Sequence, residues 1–313
     1  METNKIKGIE YDTIIIGTGV AGYSAAMYSA RLGLKVLIIG ETPGGTLALT
    51  GKVENYPGFI SIDGQELTDK LEEHAKKYDV ETITDIVDKI TREKNSFLVQ
   101  SGDRFFSSKT IILATGTELK KLNIPGEKEF FGNGVSYCAL CDSESIKGKV
   151  VAVTGGGDAA VKEALLCTEH AKKVYIINNE KELHPEEAHN KILNKKIKEG
   201  KIEVINDNEI LEIKGKKQVE TLLLKKEFKG KKELLVQGLF IYIGNVPRSE
   251  LAKTIGAKLN SQGEVIVNEN CETNIKGFFA AGDVTNKDWK QAILAASQGV
   301  TAAYYAYNYC RKN

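Results

Sequence analysis

A strand, a glycine-rich turn, a helix and a second strand occur twice in this chain, and that repeat restricts the fold more than any other feature. The first copy has a β-branched run over 11–16, the turn Gly17-Thr18-Gly19-Val20-Ala21-Gly22, an alanine-rich helical stretch over 23–32 and a strand over 35–39. The second has a strand over 149–154, the turn Gly155-Gly156-Gly157-Asp158-Ala159-Ala160, a helix reaching His170 and a strand over 173–177. In such a turn the glycines allow a tight bend, admit a pyrophosphate to the backbone and let helix pack on strand, while the helix N-terminus faces the phosphates. Glu41 follows Gly17 by about two dozen residues, where an acid can bond a ribose hydroxyl. Two such modules predict an α/β protein with two Rossmann-like, three-layer nucleotide-binding domains.

Between the modules lie two loop segments, Gly44-Gly45-Thr46-Leu47 and Val53-Glu54-Asn55-Tyr56-Pro57-Gly58. A helix is expected over 65–78, from apolar positions at helical spacing, and strands over 80–90, 96–101 and 110–113. The last strand ends at Ala114-Thr115-Gly116, small residues that let the backbone lie close to a bound cofactor. A chain of 313 residues with 42% hydrophobic content can bury the core of two domains. The net charge of +1 provides no field for nucleic acid, and no apolar run is long enough to span a membrane, so neither partner is expected and a cytoplasmic location is.

The chemistry is concentrated in Gly134-Val135-Ser136-Tyr137-Cys138-Ala139-Leu140-Cys141-Asp142. Two cysteines spaced by two residues can close a small disulfide, and a thiol in that setting can be acidic enough to react near neutral pH. Half of a zinc site is the plainer explanation, but it needs a second ligand pair, and Cys167, Cys271 and Cys310 are single, so no metal site is expected. Asp142 reads either as an acid beside the thiols or as a helix N-cap before Ser143-Glu144-Ser145. The four histidines, His74, His170, His184 and His189, are expected at the surface.

In order and spacing, the first glycine turn, the two loop segments, Ala114-Thr115-Gly116, the dithiol segment and Gly277-Phe278-Phe279-Ala280-Ala281-Gly282-Asp283-Val284 with Gln291-Ala292 resemble the low-molecular-weight thioredoxin reductases over essentially the whole chain. The resemblance implies a discontinuous FAD domain of residues 1–117 and 248–313, with residues 118–247 inserted as a module like an NAD(P)H domain that carries the dithiol. It implies FAD contacts at Gly17, Gly19, Gly22, Glu41, Gly45, Thr46, Leu47, Asn55, Thr115, Gly116, Asp283, Gln291 and Ala292. Thr46 replaces a usual glutamine. It further implies a homodimer, a rotation of the inserted domain about hinges at 116–121 and 244–247, and thioredoxin or a similar small dithiol protein as substrate. Cys141 would then face the flavin, Cys138 would exchange with the substrate disulfide, and Asp142 would protonate the departing thiolate. Near the last segment, Lys290 replaces a usual arginine, preceded by Trp289, which reads as packing or as a shield at the flavin edge. The tyrosines of the final helix are expected at a domain or dimer surface, and Cys310 is expected to be exposed.

The second module departs from the family pattern. Family members grip the adenosine 2′-phosphate of NADPH with a His-Arg-Arg segment and a further arginine, since a guanidinium suits a phosphate as lysine does not. Here the segment reads Asn178-Asn179-Glu180-Lys181-Glu182-Leu183-His184, and no arginine occurs between Arg104 and Arg248. NADPH is therefore disfavoured. NADH is left open, through Glu180 or Asn178 on ribose hydroxyls, but the favoured donor is ferredoxin or another protein, as in the clostridial-type relatives that also lack these arginines. Two rivals stand beside a disulfide reductase: a dithiol oxidase passing electrons to oxygen, and a non-enzymatic FAD-binding redox sensor.

Overall fold

A computed structural model describes residues 10–49, 52–137, 139 and 144–312. In chain order the main elements are β1 Tyr11–Ile16, α1 Val20–Arg31, β2 Val36–Gly40, α2 Gly64–Lys76, β3 Glu81–Thr84, β4 Lys89–Arg92, β5 Phe97–Ser101, β6 Arg104–Leu113, β7 Val135–Ser136, β8 Val150–Thr154, α3 Asp158–Cys167, β9 Lys173–Ile177, α4 Glu187–Lys198, β10 Ile202–Ile205, β11 Leu239–Ile241, β12 Phe278–Ala280 and α5 Ala292–Lys312. The described residues fall into two compact units, one ending at Glu118 and resuming at Val246, the other running from Leu119 to Asn245. Short strands, Thr117–Leu119 and Asn245–Pro247, pair where the chain leaves and returns.

The first unit is built on a seven-stranded sheet of order β3-β2-β1-β6-β5-β4, with β12 also beside β6. Strands β3, β2, β1, β6 and β12 run parallel, while β5 is antiparallel to β6 and β4 antiparallel to β5. Alternation sorts its side chains: Ile14, Ile16, Leu37 and Ile39 enter one core, whereas Ile15 and Ile38 enter another with Ala21, Ala25, Ala302 and Ala306 of α1 and α5. Helices α1 and α5 approach so closely that a Cβ on Gly299 would stand 2.2 Å from the Ala21 carbonyl oxygen. The single strand expected over 80–90 is two strands at opposite edges of this sheet, because the segment between them crosses from β2 to β5. Asp85 anchors the crossing, accepting hydrogen bonds from Ser101 Oγ at 2.7 Å and Arg104 at 2.8 Å.

The second unit has a five-stranded parallel sheet of order β7-β11-β8-β9-β10. On one face Val151, Val153 and Ile176 pack against Ala160, Val161 and Ala164 of α3. On the other, Ala152, Ile177 and Ile241 meet Ile213, Val219, Leu222 and Leu234 from a three-stranded antiparallel sheet, Ile210–Gly215, Val219–Phe228 and Lys231–Leu235. Each unit therefore shows the layered α/β architecture that the repeated glycine turns predict. No helix is long and apolar enough to cross a membrane among the described residues.

Candidate functional site

In the first unit, collisions that only glycine avoids shape the turn after β1. Gly17 sits at φ +112, and a Cβ there would lie 2.2 Å from the Ala114 carbonyl oxygen at the end of β6. Gly22 faces the Gly17 carbonyl so closely that its Cβ would lie 1.8 Å from that oxygen. Gly19 borders open space and caps α1 with no side-chain hydrogen bond, so the first N–H groups of the helix remain for an anion.

Other predicted positions converge on this turn. The Gly44 amide donates to the Thr18 carbonyl at 2.8 Å, and a Cβ on Gly45 would lie 3.5 Å from the Gly19 Cα. Gly282, at φ +81 just past β12, packs on Ala21 and carries Asp283 to the same end of the sheet. Asn55 Nδ2 donates to Gln291 Oε1 at 2.9 Å, joining the second loop segment to the start of α5, where Ala292 lies. Thr115 Oγ1 donates to the Arg248 carbonyl at 2.7 Å, and the Arg248 amide donates to the Gly116 carbonyl at 3.0 Å. Glu41 is exposed just beyond β2. Asn55, Gln291 and Ala292 aside, these lie at the carboxyl ends of parallel strands, the place where open α/β sheets bind ligands.

Three expectations change here. Leu47 does not face a ligand: it is buried with Val20, Val53, Ile62, Leu67 and Ala296, so only its backbone can reach a cofactor. Thr46 is exposed beside it in the short helix Gly45–Ala48. Trp289 is 67% exposed and does not pack into a core. Cys310 is half-buried, its Sγ donating to the Asp12 carbonyl at 3.4 Å. Sequence reasoning missed Gln298, whose Oε1 accepts from the Gly282 amide at 2.8 Å and from Thr285 Oγ1 at 3.1 Å and so fixes the backbone before Asp283. It also missed Glu264, which holds the Lys290 ammonium at 2.8 Å.

Burial pushes the Asp283 carboxyl up, and the charge of Lys290 opposes the shift. A desolvated carboxylate among exposed N–H groups fits a ligand that brings hydroxyl donors, as the ribityl and ribose parts of FAD do. An acid whose pKa rises on folding contributes stability below its unfolded pKa and loses it as pH rises through the folded value. The ligand-free Asp283→Asn protein is therefore expected to melt about 2 °C higher than the parent at pH 7.5. That gap closes as pH falls through the ordinary carboxylate range, while flavin retention on gel filtration drops about tenfold, the loss of one charged hydrogen-bond partner. Calorimetry and the flavin-to-protein absorbance ratio check both effects.

In the second unit, Gly155 sits at φ +135, where a Cβ would lie 2.0 Å from the Tyr242 carbonyl oxygen. Gly157 caps α3 with open space around it. The rim of this turn is taken up by the chain's own segment after β9. The His184 amide donates to the Gly156 carbonyl at 2.7 Å, and Asp158 Oδ1 accepts from the Glu186 amide at 2.7 Å and pairs with His189 Nδ1 at 2.7 Å. Asp158, Glu186 and His189 thus bring three metal-capable side chains within 4.8 Å of one another.

Asn178 cannot serve a ribose. It is 1% exposed, its Nδ2 donates to the Glu180 and Glu182 carbonyls at 3.2 and 2.8 Å, and its Oδ1 accepts from the Glu180 amide. Its role is to fold the segment back. The exposed carboxylate of Glu180 pairs with His184 Nε2 at 2.8 Å. Of the four histidines, His74 and His184 are exposed as expected, but His170 and His189 are half-buried.

Cys138, Cys141 and Asp142 lie outside the described residues. Their described neighbours in the chain, Tyr137 and Ala139, are well tied. Tyr137 donates its hydroxyl to Glu127 Oε1 at 2.6 Å, and its carbonyl accepts from the Tyr242 hydroxyl at 2.8 Å. Glu127 is 4% exposed and also accepts from the Leu122 and Asn123 amides at 2.9 and 2.5 Å. Ala139, between the two cysteines in sequence, is buried in the core beneath α3.

The profile of the pyridine nucleotide-disulphide oxidoreductases matches residues 11–299. A thioredoxin reductase of Bacillus subtilis is 38% identical over 302 residues, covering 96% of this chain and 94% of that protein. Among solved structures, the thioredoxin reductase of Lactococcus lactis matches with a TM-score of 0.91 at 37% identity, covering 97% of this chain and 100% of the other. A ferredoxin-flavin thioredoxin reductase from Clostridium acetobutylicum matches with a TM-score of 0.53 at 32% identity, covering 96% and 98%.

Proposed function

The chain belongs to the pyridine nucleotide-disulphide oxidoreductase family and is a flavoprotein oxidoreductase, and from that premise we propose that it reduces the disulfide of thioredoxin, or of a similar small dithiol protein, with electrons that do not come from NADPH. The substrate rests on the likeness to thioredoxin reductases over 96% of the chain. The choice of donor rests on one observation: the rim of the second glycine turn presents Glu180 and Glu182 and no guanidinium, and the His184 and Asp158 hydrogen bonds fasten that rim to the turn. Carboxylates there repel a 2′-phosphate, and a rim tied to its own glycines has to open before a nicotinamide dinucleotide can lie on them.

Residues 1–117 with 248–313 form the FAD domain in this reading, and residues 118–247 carry the dithiol. Gly17 and Gly19 leave room for the pyrophosphate at the α1 N-terminus, Glu41 meets the ribose, Asp283 accepts from ribityl hydroxyls, and Asn55 with Gln291 holds the rim beside Thr46, Thr115, Gly116 and Ala292. FAD, when bound, supplies a two-electron acceptor able to reduce a neighbouring disulfide. The rest is carried by the chain's own residues. The Cys138 thiolate attacks one sulfur of the substrate disulfide, breaking its S–S bond, and the departing thiolate takes a proton from Asp142. Cys141 then attacks the Cys138 sulfur of the mixed disulfide, releasing the second substrate thiolate and leaving the Cys138–Cys141 disulfide. A ferredoxin is the favoured donor, NADH the second, and two copies of the chain form the working dimer.

Anaerobic mixing tests the donor. Reduced ferredoxin is expected to bleach the flavin band within seconds, with thioredoxin restoring it, whereas NADPH at 100 μM is expected to bleach it at least about a hundredfold more slowly, the cost of an unneutralised 2′-phosphate. Rapid bleaching by NADPH would return the protein to the nicotinamide-dependent members of its family. Oxygen uptake driven by a small dithiol, with no thioredoxin turnover, would instead mark a dithiol oxidase.

A further inference from the structure

The chain enters the second unit through Thr117–Leu119 and leaves it through Asn245–Pro247, strands that pair with each other, and the Lys120 amide adds a bond to the Gly244 carbonyl at 2.9 Å. Just past the entry, Asn123 adopts φ +56, a left-handed conformation that asparagine tolerates. The Leu122 and Asn123 amides on either side of this bend both donate to Glu127, at 2.9 and 2.5 Å. Glu127 is buried, and no lysine or arginine pairs with it among the described residues. Its carboxyl group is held by three donors alone, the two amides on opposite oxygens and the Tyr137 hydroxyl at 2.6 Å. Losing any one is costly, because a buried carboxyl keeps its desolvation penalty when a donor goes.

The two amide bonds close a local loop, as a cap would. The third reaches beyond it, to the residue that follows β7 in the dithiol segment. Tyr137 is gripped at its main chain as well. Its carbonyl accepts from the Tyr242 hydroxyl at 2.8 Å, and Tyr242 stands just before Gly244 at the exit, its own amide fixed to the Thr154 carbonyl at 2.8 Å. The Glu127 loop is fastened separately to the three-stranded sheet: the Ile213 amide donates to the Pro125 carbonyl at 3.0 Å, and a Cβ on Gly126 would lie 2.1 Å from the Ile213 carbonyl oxygen. Burial, and then Glu127, push the Tyr137 hydroxyl up, so it stays a donor. One residue thus receives a tie from the entry through Glu127 and another from the exit through Tyr242.

We propose that Tyr137 is a positioning residue: Glu127 ties its hydroxyl to the entry strand and Tyr242 ties its carbonyl to the exit strand, so that the start of the dithiol segment follows any movement of the crossing. Without these ties the loop between Lys120 and Gly134 would absorb such a movement. Hydrogen bonds that meet on one side chain form a contiguous path, and its coupling can be measured. The proposal rests on the reading of residues 116–121 and 244–247 as the hinge of an inserted unit that carries the dithiol.

The test is hydrogen exchange of the full-length, FAD-loaded protein, read at single amides. Tyr137→Phe removes one oxygen and touches neither the Leu122 nor the Asn123 amide. Both are expected to exchange about tenfold faster in it, the effect of one hydrogen bond lost from a buried site. The Ile213 amide, which Glu127 does not touch, is expected to be unmoved. In a Glu127→Gln background, where the path is already cut, adding Tyr137→Phe is expected to accelerate neither amide further. A tyrosine that only fills space gives a different pattern: no change at Leu122 and Asn123, or a general loosening that reaches Ile213 and recurs in the glutamine background. Either result overturns the proposal. If Glu127→Gln does not fold, the contrast of Leu122 and Asn123 with Ile213 in Tyr137→Phe decides alone. Tyr242→Phe is expected to accelerate the Lys120 amide by a similar factor, and an unmoved Lys120 amide overturns the tie to the exit strand. Exchange needs neither electron donor nor thioredoxin, so failure here is separate from failure of the reductase reading, which turnover by the parent protein decides.

Discussion

Replacing Cys138 with serine is expected to lower the rate of thioredoxin reduction at least about a thousandfold while the flavin stays bound. A serine hydroxyl does not ionise near neutral pH and forms no mixed disulfide, so the exchange step has no nucleophile. The measurement should not depend on the donor. The protein is reduced with dithionite, freed of excess reductant, and mixed with one equivalent of oxidised thioredoxin, whose new thiols are counted. Cys141→Ser should fail in the same assay by a different route, trapping thioredoxin as a mixed disulfide on Cys138. A Cys138→Ser protein that matches the parent would remove Cys138 from its assigned role.

The second large effect is expected at Gly17. Alanine there meets two penalties together: a backbone at φ +112, which side chains with a Cβ rarely adopt, and a Cβ placed 2.2 Å from the Ala114 carbonyl oxygen. The atoms it meets belong to the Ala114 and Thr115 backbone, not to a flexible side chain that could move aside. Gly17→Ala is expected to lose about 3 kcal/mol of stability and to be purified nearly free of flavin, because the displaced turn withdraws the α1 N-terminus from the pyrophosphate. Denaturant unfolding and the flavin-to-protein absorbance ratio check the two parts. Gly19→Ala is the contrast, since a Cβ at Gly19 meets nothing within 4 Å in the protein. That variant should fold normally and lose only flavin.

These contrasts show where sequence was informative. The β1 strand, the turn and α1 could be read because strand alternation, glycine spacing and an alanine-rich helix all pointed to one arrangement, and the same agreement recurred at Gly155. The expected strand over 80–90 failed because β-branched residues continue across the break, from Thr82, Ile83 and Thr84 to Ile86, Val87 and Ile90, and nothing local marks Asp85 as the anchor of a crossing. Leu47 and Asn178 were assigned outward roles from neighbouring motifs, but a leucine beside Val20 and Val53 gains more from burial, and an asparagine can bond its own loop. Contacts such as Asn55 with Gln291 cannot be found from local spacing, since only the closed sheet brings those segments together.

Gly299 on the last helix has a consequence for how the chain is made. Its contact with Ala21 seals α1, so a ribosome must translate past Gly299 before α1 can bury its inner face. Residues 119–245 leave the tunnel complete long before then, and domains generally fold as units during synthesis. The nascent protein thus carries a finished inner unit flanked by an open, apolar parent sheet, and translation arrest between Asn245 and Gly299 would leave that sheet as prey for chaperones and proteases.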